Sequence, residues 1–297
     1  MSALATRKLE ATVGAEVLGL EREQLLGDET LPAAVMRALE ENGVLVFREL
    51  HVDDDTQAEF SKRLDDVGKQ EPAPLPSIYN VTLDPAKSAT AQYLRGTFYW
   101  HIDGAQDEVP TKATVLSAHV ISANGGETEF ASTYAAYDDL GRDEKASFED
   151  LRVLHSFEAS QRLVHPDPTP EELARWHERP DREHPLVWQH RSGRRSLVIG
   201  ATADHVVGMD RDEGRALLAD LLARATAPER VYRHEWTAGD LIMWDNTGVM
   251  HRVQPYDESS AREMHRTTMT GDEPIRSIGS APANGSIAPD PTAQETT

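Results

Sequence analysis

The chain has 297 residues, enough to bury a sizeable core as one large β-rich domain or two small domains. Its 30 Lys and Arg against 51 Asp and Glu give a net charge of −21, which argues against nucleic acid and anionic membrane partners because both require a basic surface. With no cysteine, the chain can form no disulfide, thiolate metal site or cysteine nucleophile. It also lacks a signal-peptide core and a run of roughly 20 apolar residues, so we expect a cytoplasmic protein.

The N-terminal part of the chain predicts an α/β arrangement. The predicted elements are a strand pair at 8–20, a helix at 31–42, a buried strand at 43–50 and a helix at 53–67 that an Asp or Thr caps near its start. Three prolines within residues 71–76 then interrupt regular structure.

The rest of the chain is dominated by short apolar stretches separated by glycine turns. They predict strands at 77–83, 98–103, 111–122, 127–132, 184–190, 196–200, 231–236, 241–244 and 249–253. Helices are predicted at 134–150, 171–178 and 210–225. Many short strands framed by a few helices indicate a mostly β fold with helical padding, such as a β-sandwich or small barrel. We predict a single domain over residues 1–274.

Two segments depart from this pattern. Residues 155–182 form a polar, proline-rich insertion, and long insertions in compact domains are often lids or binding loops, so we predict a lid there. Residues 275–297 consist largely of Ser, Ala, Pro, Gly and Thr, which predicts a disordered C-terminal tail.

Residues 98–103, Phe-Tyr-Trp-His-Ile-Asp, place a histidine and a carboxylate two residues apart in an apolar run. On a strand, His101 and Asp103 would project from the same face. The 2-His-1-carboxylate site of non-haem Fe(II) oxygenases needs such a pair and one more histidine. The His-x-Asp pattern also occurs at residues 51–53 and 165–167, where no strand aligns it, and any such pair can simply be polar residues at a strand end.

A candidate for the remaining histidine is His251, on a predicted late strand, although a lone strand histidine is usually structural. Beyond it, Arg262 and Arg266 lie four residues apart, which would make them neighbours on a helix or place them on a kinked strand. Buried arginines are rare unless they meet an anion. The alternative is a solvated basic spot on an acidic protein.

Four blocks together resemble the taurine/2,4-dichlorophenoxyacetate dioxygenase family of Fe(II)- and 2-oxoglutarate-dependent enzymes. They are Trp100-His101-Ile-Asp103, Gly125-Gly126-Glu127-Thr128, the stretch from Gly239 to Asn246 with Met250-His251-Arg252, and the stretch from Arg262 to Asp272. The blocks occur in the family's order and at close to its spacing. The His-x-Asp pattern alone is weak, but the combination is specific.

The resemblance implies a double-stranded β-helix, or jelly roll, with Fe(II) as cofactor and 2-oxoglutarate and O2 as co-substrates. The implied reaction decarboxylates 2-oxoglutarate to succinate and CO2 and oxidises a C–H bond of a small molecule. Relatives that halogenate carry a small residue at the position of Asp103, so hydroxylation or a related oxidation is expected here. The resemblance also implies a homodimer or homotetramer.

The resemblance assigns roles to individual residues. His101, Asp103 and His251 would ligate Fe(II) and leave positions for a bidentate keto acid and O2. Thr128 and Arg262 would hold the distal carboxylate of 2-oxoglutarate by charge-assisted and hydroxyl hydrogen bonds.

Arg266 would lie beside the iron-chelating end of 2-oxoglutarate or an anionic group of the substrate. The other candidate substrate residues, any of which can instead belong to the core, are Tyr79, Asn80, Phe98 and Tyr99. The stretch before Tyr79 lacks the histidine of taurine-specific members, and Thr97 replaces their asparagine. A carboxylate, a sulfonate, a sulfate ester or a natural-product intermediate therefore stays open as substrate.

Two other functions are compatible with a metal site on such a barrel. One is a metal-dependent isomerase, hydrolase or lyase, and the other is a binding protein without turnover. Thr128 and Arg262 favour the oxygenase, because neither alternative needs a carboxylate clamp facing the metal.

Overall fold

The computed structural model describes residues 4–9, 11–88, 91–257 and 259–279. Its helices are α1 (Gln24–Gly27), α2 (Leu31–Asn42), α3 (Asp54–Asp65), α4 (Thr133–Asp138), α5 (Arg142–Phe148), α6 (Phe157–Arg162), α7 (Pro170–Trp176) and α8 (Arg211–Ala225), with 3-10 helices at Ala91–Phe98 and Pro228–Arg230. Its strands are β1 (Thr6–Lys8), β2 (Ala15–Val17), β3 (Val44–Phe47), β4 (Tyr79–Val81), β5 (Ala113–Val120), β6 (Thr128–Ser132), β7 (Arg152–His155), β8 (Arg182–Pro185), β9 (Val187–Gln189), β10 (Arg195–Leu197), β11 (Ala203–Val206), β12 (Tyr232–His234), β13 (Leu241–Asp245), β14 (Val249–Val253) and β15 (Glu263–Met269).

A seven-stranded sheet in the order β1-β2-β3-β13-β5-β15-β4 forms the centre of the fold. β2 and β3 are parallel, and the other neighbours are antiparallel. Alternate residues of β3 point to opposite faces: Leu45 and Phe47 pack with α2 and α3, whereas Val44 and Val46 pack with Phe130 of β6. Because both faces are covered, the central strands are apolar throughout rather than alternating.

Smaller sheets complete the architecture. Two are three-stranded, in the orders β12-β6-β14 and β11-β7-β8, and β10 pairs with β9. An apolar cluster that includes residues of α4 and α8 also buries Trp100, Ile102 and Met250. These three residues are the immediate neighbours of His101 and His251, so the core anchors the backbone that carries both histidines.

The described residues form a mixed α+β structure with several open sheets, in agreement with the predicted strand-rich fold with helical padding. The helix predicted at 31–42 is confirmed by α2, and Asp53 caps α3 by accepting a hydrogen bond from the Thr56 backbone. The helix predicted at 134–150 is wrong. The chain there forms α4 and α5, and Gly141 begins the second helix with its N–H bound to Glu144.

The strand predicted at 98–103 is also wrong. A 3-10 helix ends at Phe98, His101 forms a single β-bridge, and Asp103 lies in a turn. The reason is that Gly104, at a φ of 77°, turns the chain immediately after Asp103.

The predicted C-terminal tail lies, from residue 280 onward, outside the described residues. At 275–279 the chain still contacts the rest of the protein: the Gln189 N–H donates to the Arg276 carbonyl, and Ile278 packs on an apolar cluster. No helix in the described part of the chain is long and apolar enough to cross a membrane.

Candidate active site

One antiparallel bridge brings the two candidate histidines together. The His101 N–H donates to the His251 carbonyl at 3.0 Å, and the His251 N–H donates back to the His101 carbonyl at 2.9 Å. Their imidazole rings lie 4.2 Å apart between centroids. Since residues directly opposite each other in an antiparallel pair project to the same side, the bridge itself aligns the imidazoles.

Asp103 reaches both histidines from the turn that follows the bridge. Its Oδ1 lies 3.9 Å from His101 Nε2, and its Oδ2 lies 3.9 Å from His251 Nε2. One ligand atom from each of these three side chains lies within 4.8 Å of the other two. The predicted proximity of His101 and Asp103 is therefore present, although a turn produces it rather than the two-residue period of a strand.

Hydrogen bonds orient the first imidazole for metal binding. His101 Nδ1 lies 2.8 Å from the Tyr99 carbonyl, which can only accept, so Nδ1 carries the proton and Nε2 presents its lone pair. A backbone partner of this kind is typical of metal-ligating histidines. His251 is buried, and its Nδ1 has no hydrogen-bond partner.

A chain of buried side chains holds the carboxylate. Thr114 Oγ1 donates to Asp103 Oδ2 at 2.8 Å, Asn246 Nδ2 donates to Thr114 Oγ1 at 3.0 Å, and Trp244 Nε1 donates to Asn246 Oδ1 at 2.9 Å. Thr114 and Asn246 are fully buried. The sequence interpretation missed both: Asn246 stood in a quoted block without a role, and a threonine in a buried strand carries no signal of its own.

The site is charged in the way that a metal centre requires. Burial raises the pKa of the Asp103 carboxyl, but His251, Arg266, His101 and the Thr114 hydrogen bond outweigh burial and bring the pKa to about 2. Burial and the neighbouring His101 lower the pKa of His251 to about 3. At neutral pH His251 is therefore a neutral imidazole and Asp103 an ionised carboxylate, the protonation states that bind a metal.

Arg262, just before β15, is buried, whereas the sequence left a buried arginine and a solvated one both open. Its side chain donates to the Gly126 carbonyl at 3.1 Å, and its guanidinium lies 4.9 Å from the Tyr256 ring. A Cβ on Gly126 would lie 2.9 Å from Arg262 Nε, and the φ of this glycine is 84°, so the close approach requires glycine. Gly126 thus makes room for the guanidinium, whereas a Cβ on Gly125 would meet the Pro255 carbonyl.

Trp236 lines a cavity with Arg262 and donates to Thr128, and the sequence interpretation missed it. A cavity of about 270 Å³ is lined by Gly126, Trp236 and Arg262 among others, and Trp236 Nε1 donates to the buried Thr128 Oγ1 at 3.0 Å. The cavity therefore has a buried cation on its wall, next to a tryptophan that the threonine orients.

Arg266 lies between the metal cluster and a second cavity. Its Nη1 is 3.7 Å from Asp103 Oδ1, its guanidinium is 4.9 Å from the Tyr79 ring, and its buried Nε has no hydrogen-bond partner. Arg266 and Tyr79 pair directly across β15 and β4 and line a cavity of about 390 Å³ with Ser77. A guanidinium and an aromatic ring thus face one space beside the carboxylate.

The other candidate substrate residues are placed differently. Asn80 pairs with His265, and because neighbouring strand residues alternate, it faces the side of the sheet opposite Arg266. Its prediction as a pocket neighbour of Tyr79 is therefore not supported by the geometry. Phe98 packs edge-on against Tyr256, at 5.9 Å between ring centroids, and so adjoins the ring beneath Arg262.

Tyr99 faces the predicted lid. Its hydroxyl donates to the Leu163 carbonyl at 2.7 Å, and its ring lines a cavity of about 810 Å³ together with Trp100 and Arg252. The backbone carbonyl of the same tyrosine orients His101. Tyr99 therefore connects the 155–182 segment directly to the metal cluster.

Two histidines and one carboxylate converge in a strand-rich α+β fold next to Arg266, and they define a candidate mononuclear metal centre. The sequence profile described as "Taurine catabolism dioxygenase TauD, TfdA family" matches residues 5–268. The chain belongs to this family and is a 2-oxoglutarate-dependent dioxygenase, with a metal and O2 taking part in the reaction.

Individual relatives agree with this assignment. The chain is 38% identical to the alpha-ketoglutarate-dependent 2,4-dichlorophenoxyacetate dioxygenase of Cupriavidus pinatubonensis, over 89% of this chain and 96% of that protein. It is 31% identical to the alpha-ketoglutarate-dependent sulfate ester dioxygenase of Pseudomonas putida, over 89% and 88%. A crystal structure of AAD-2 in complex with Mn(II) and N-oxalylglycine superposes with a TM-score of 0.77 at 34% identity, covering 92% of this chain and 100% of that one.

Proposed function

We propose that His101, Asp103 and His251 ligate Fe(II) and that the enzyme uses 2-oxoglutarate and O2 to hydroxylate or oxidatively cleave a small anionic molecule. The observation that carries this proposal is the convergence of two imidazoles and an ionised carboxylate beside Arg266. When bound, the iron would activate O2, which is the oxidant: one oxygen atom would be used to oxidise 2-oxoglutarate to succinate and CO2, and the other would oxidise the substrate. The alternatives without a keto acid give no role to Arg262.

The protein's own contribution to the reaction is orientation. The Tyr99 carbonyl keeps the proton on His101 Nδ1, so its Nε2 lone pair faces the centre. The Thr114 hydroxyl fixes one carboxylate oxygen of Asp103. Because these partners are themselves held by backbone or by buried side chains, the ligands need little rearrangement when the metal binds.

We assign the distal carboxylate of 2-oxoglutarate to Arg262 and Thr128. Burial lowers the pKa of the Arg262 guanidinium, which means that this cation is held in a poorly solvated place. A carboxylate there would form charge-assisted hydrogen bonds that offset this desolvation. Trp236, between the guanidinium cavity and Thr128, would shape the same end of the pocket.

Arg266 and Tyr79 support an aryloxyalkanoate as the substrate. An arginine beside the metal ligand Asp103 suits the carboxylate, and the aromatic ring against its guanidinium suits an apolar or aromatic body. Relatives named for 2,4-dichlorophenoxyacetate and for (S)-phenoxypropionate point to the same class. Sulfate esters are the second candidate, because a relative named for them aligns over 88% of its own length.

The finer architecture is also part of the proposal. We propose that the seven-stranded sheet and the β12-β6-β14 sheet face each other as the two halves of a double-stranded β-helix. We also propose that residues 1–274 form one catalytic domain. The interior packing of β3 and β13 with Phe130 and Val249 supports it, as does the family match over residues 5–268. We further propose that the enzyme acts on small molecules in the cytoplasm and that it assembles as a homodimer or homotetramer. Sedimentation velocity at two protein concentrations tests the assembly.

The first test is spectroscopic. Under anaerobic conditions, Fe(II) with 2-oxoglutarate should give a visible charge-transfer band that Asp103→Ala abolishes, because the metal loses its carboxylate ligand. Arg262→Ala should weaken the band at a fixed 2-oxoglutarate concentration, and the band should recover when the 2-oxoglutarate concentration is raised. The reason is that this variant loses only the contact with the distal carboxylate. Arg224→Ala is the matched control, since this arginine binds Glu144 on the surface.

Succinate formation under O2 then identifies the substrate class. Aryloxyalkanoates should be turned over faster than alkyl sulfonates and sulfate esters. A protein that forms no band and releases no succinate with any of the three classes would contradict the dioxygenase assignment of this centre.

A further inference from the structure

A second group of metal-ligating side chains lies on the opposite face of the central sheet from Arg266. Asp54 begins α3, His119 lies near the end of β5, and His265 lies in β15. One ligand atom from each lies within 4.8 Å of the other two, and the two imidazole rings stack at 3.8 Å between centroids. Nothing in the oxygenase reaction uses these residues.

The sheet is built to bring the two imidazoles together. Ser117 pairs directly with His265 across β5 and β15, and the register shifts between Glu263 and Met264. Such a bulge leaves an extra residue on β5 opposite the shift, and bulges characteristically redirect a side chain. His119, two residues after Ser117, thereby shares the face of His265 and stacks on it.

His265 has the outer partner that metal-bound histidines usually have. Its Nε2 lies 3.2 Å from Glu263 Oε1, and Lys87 Nζ holds the same carboxylate at its other oxygen, at 2.5 Å. Its Nδ1 faces Asp54 Oδ1 at 2.5 Å. With Nε2 turned to Glu263, Nδ1 is the nitrogen that would take a metal in exchange for its hydrogen bond to Asp54.

The protonated nitrogen of His119 can be assigned in the same way. Gln57 donates its amide to the His265 carbonyl at 2.9 Å, so its Oε1 must be the atom that accepts the Ser117 hydroxyl at 2.6 Å. With its hydrogen committed, Ser117 Oγ accepts from His119 Nε2 at 3.1 Å. The lone pair of His119 is then on Nδ1.

We propose that Asp54, His119 and His265 form a second divalent-metal site of the zinc class, separate from the iron centre. Imidazole nitrogens with one carboxylate suit zinc, copper and nickel rather than magnesium or calcium. Asp54 is half exposed, which leaves room for water as a further ligand. The bound ion would tie the start of α3 to the two strands that carry Thr114 and Arg266.

The charge balance and the geometry suit a cation. The net charge of −21 draws cations to the protein, and Asp53 and Asp55 flank the proposed ligand Asp54. Zinc with bonds of about 2.0–2.1 Å places tetrahedral ligand atoms about 3.3 Å apart. The Asp54 oxygen, now 2.5 Å from His265 Nδ1, must therefore move outward, which an exposed side chain can do.

The test uses the full chain carrying His101→Ala and His251→Ala, which removes the iron centre and separates this inference from the proposed function. Zn²⁺ titrated in competition with a chromogenic chelator should bind with one equivalent. Asp54→Asn and His119→Gln, each added to this background, should weaken the affinity at least tenfold. His205→Gln is the matched control, because His205 pairs with Asp204, at 2.8 Å, and with none of the three proposed ligands.

Two further measurements keep the outcome unambiguous. Co²⁺ in the same background should give d–d absorption typical of nitrogen ligation, which Asp54→Asn perturbs and His119→Gln diminishes. Zn²⁺ should raise the midpoint of thermal unfolding, and this rise should be lost in both variants. If the double-alanine background does not fold, Asp103→Ala serves instead. Zinc affinity equal in the background, the two variants and the control would overturn the proposal.

Discussion

Asp103 depends on residues that touch no metal. Its Oδ2 accepts from Thr114, which accepts from Asn246, which in turn accepts from Trp244. Each member is buried, so water cannot replace a lost partner. The orientation of the carboxylate is therefore a property of this chain of side chains rather than of Asp103 alone.

Thr114→Val tests this dependence. The isosteric change removes the donor to Asp103 and leaves the Asn246 amide without its acceptor, which should cost about 1–3 kcal/mol of unfolding free energy. It should also weaken Fe(II) binding about 10- to 100-fold, the usual effect of losing a partner of a metal ligand. Chemical denaturation and anaerobic iron titration measure the two effects.

The chain offers a matched control in Thr133. It is equally buried, but its hydroxyl has no hydrogen-bond partner, so Thr133→Val should leave both stability and iron affinity nearly unchanged. Equal iron affinity in Thr114→Val and Thr133→Val would mean that Asp103 needs no support from Thr114.

At the scale of elements, the segment 155–182 lies against the 3-10 helix that leads to the metal cluster. The Phe157 ring meets Tyr93 edge-on at 5.5 Å, Arg179 lies 4.3 Å from the Phe157 ring, and Leu163 accepts the Tyr99 hydroxyl. Its α6 and α7 are both short helices with side-chain caps. A segment of short helices that contacts the approach to the metal cluster through Tyr99 is placed to act as a closing element.

We therefore expect residues 155–182 to close over the substrate. Tryptic cleavage after Arg162 and Arg175 should slow when iron, 2-oxoglutarate and substrate are all present, because closure removes the extended conformations that a protease requires. Cleavage after Lys145, in α5, should not change and serves as the internal control. Equal rates with and without the three ligands would contradict a lid.

The strands show how far sequence patterns reach. The continuous apolar runs of β3 and β13 and the helical period of α2 were predictable, because burial on two faces or on one stripe leaves a periodic trace. β7 and β11 were missed, since the polar residues of Arg152–His155 and Ala203–Val206 hide the alternation. The predicted helix at 134–150 failed where Gly141 starts a new cap.

At the scale of the whole molecule, buried histidines govern acid stability. The pKa of His155 and that of His190 are lowered to about 3, and the pKa of His184 is lowered to about 4. Burial is the largest cause of all three shifts. The unfolded chain binds protons at these sites near the ordinary histidine pKa of about 6.5. Their contribution to stability is thus complete above pH 6.5 and is lost as the pH falls from there through the folded values.

Denaturant unfolding should show this directly. As the pH falls from about 6 to about 4.5, each of these histidines should lower the unfolding free energy by about 1.4 kcal/mol per pH unit. His155→Gln should reduce the dependence of the unfolding free energy on pH by about 1.4 kcal/mol per pH unit, which corresponds to one proton. This change in slope is expected whatever effect the substitution has on stability at pH 8. An unfolding free energy that is flat over this range would exclude neutral burial of the three imidazoles.

The amino-acid sequence by itself determined which residues are candidates for the site. The spacing of the four blocks, and the resemblance they carry, pointed to His101, Asp103 and His251 and to a buried arginine at Arg262. The structure brings His101, Asp103 and His251 together and buries Arg262. The sequence could point to these residues because residue type and order are local properties of the chain, and because buried arginines and metal ligands come from few residue types.

Only the tertiary structure decided how the site is assembled. The His101–His251 bridge, the turn at Asp103, the Thr114 support and the Trp236 link all join residues far apart in the chain. The physical reason is that pairing across strands and hydrogen bonds between buried side chains follow from the packing of whole elements, and such contacts leave no periodic trace in any one segment.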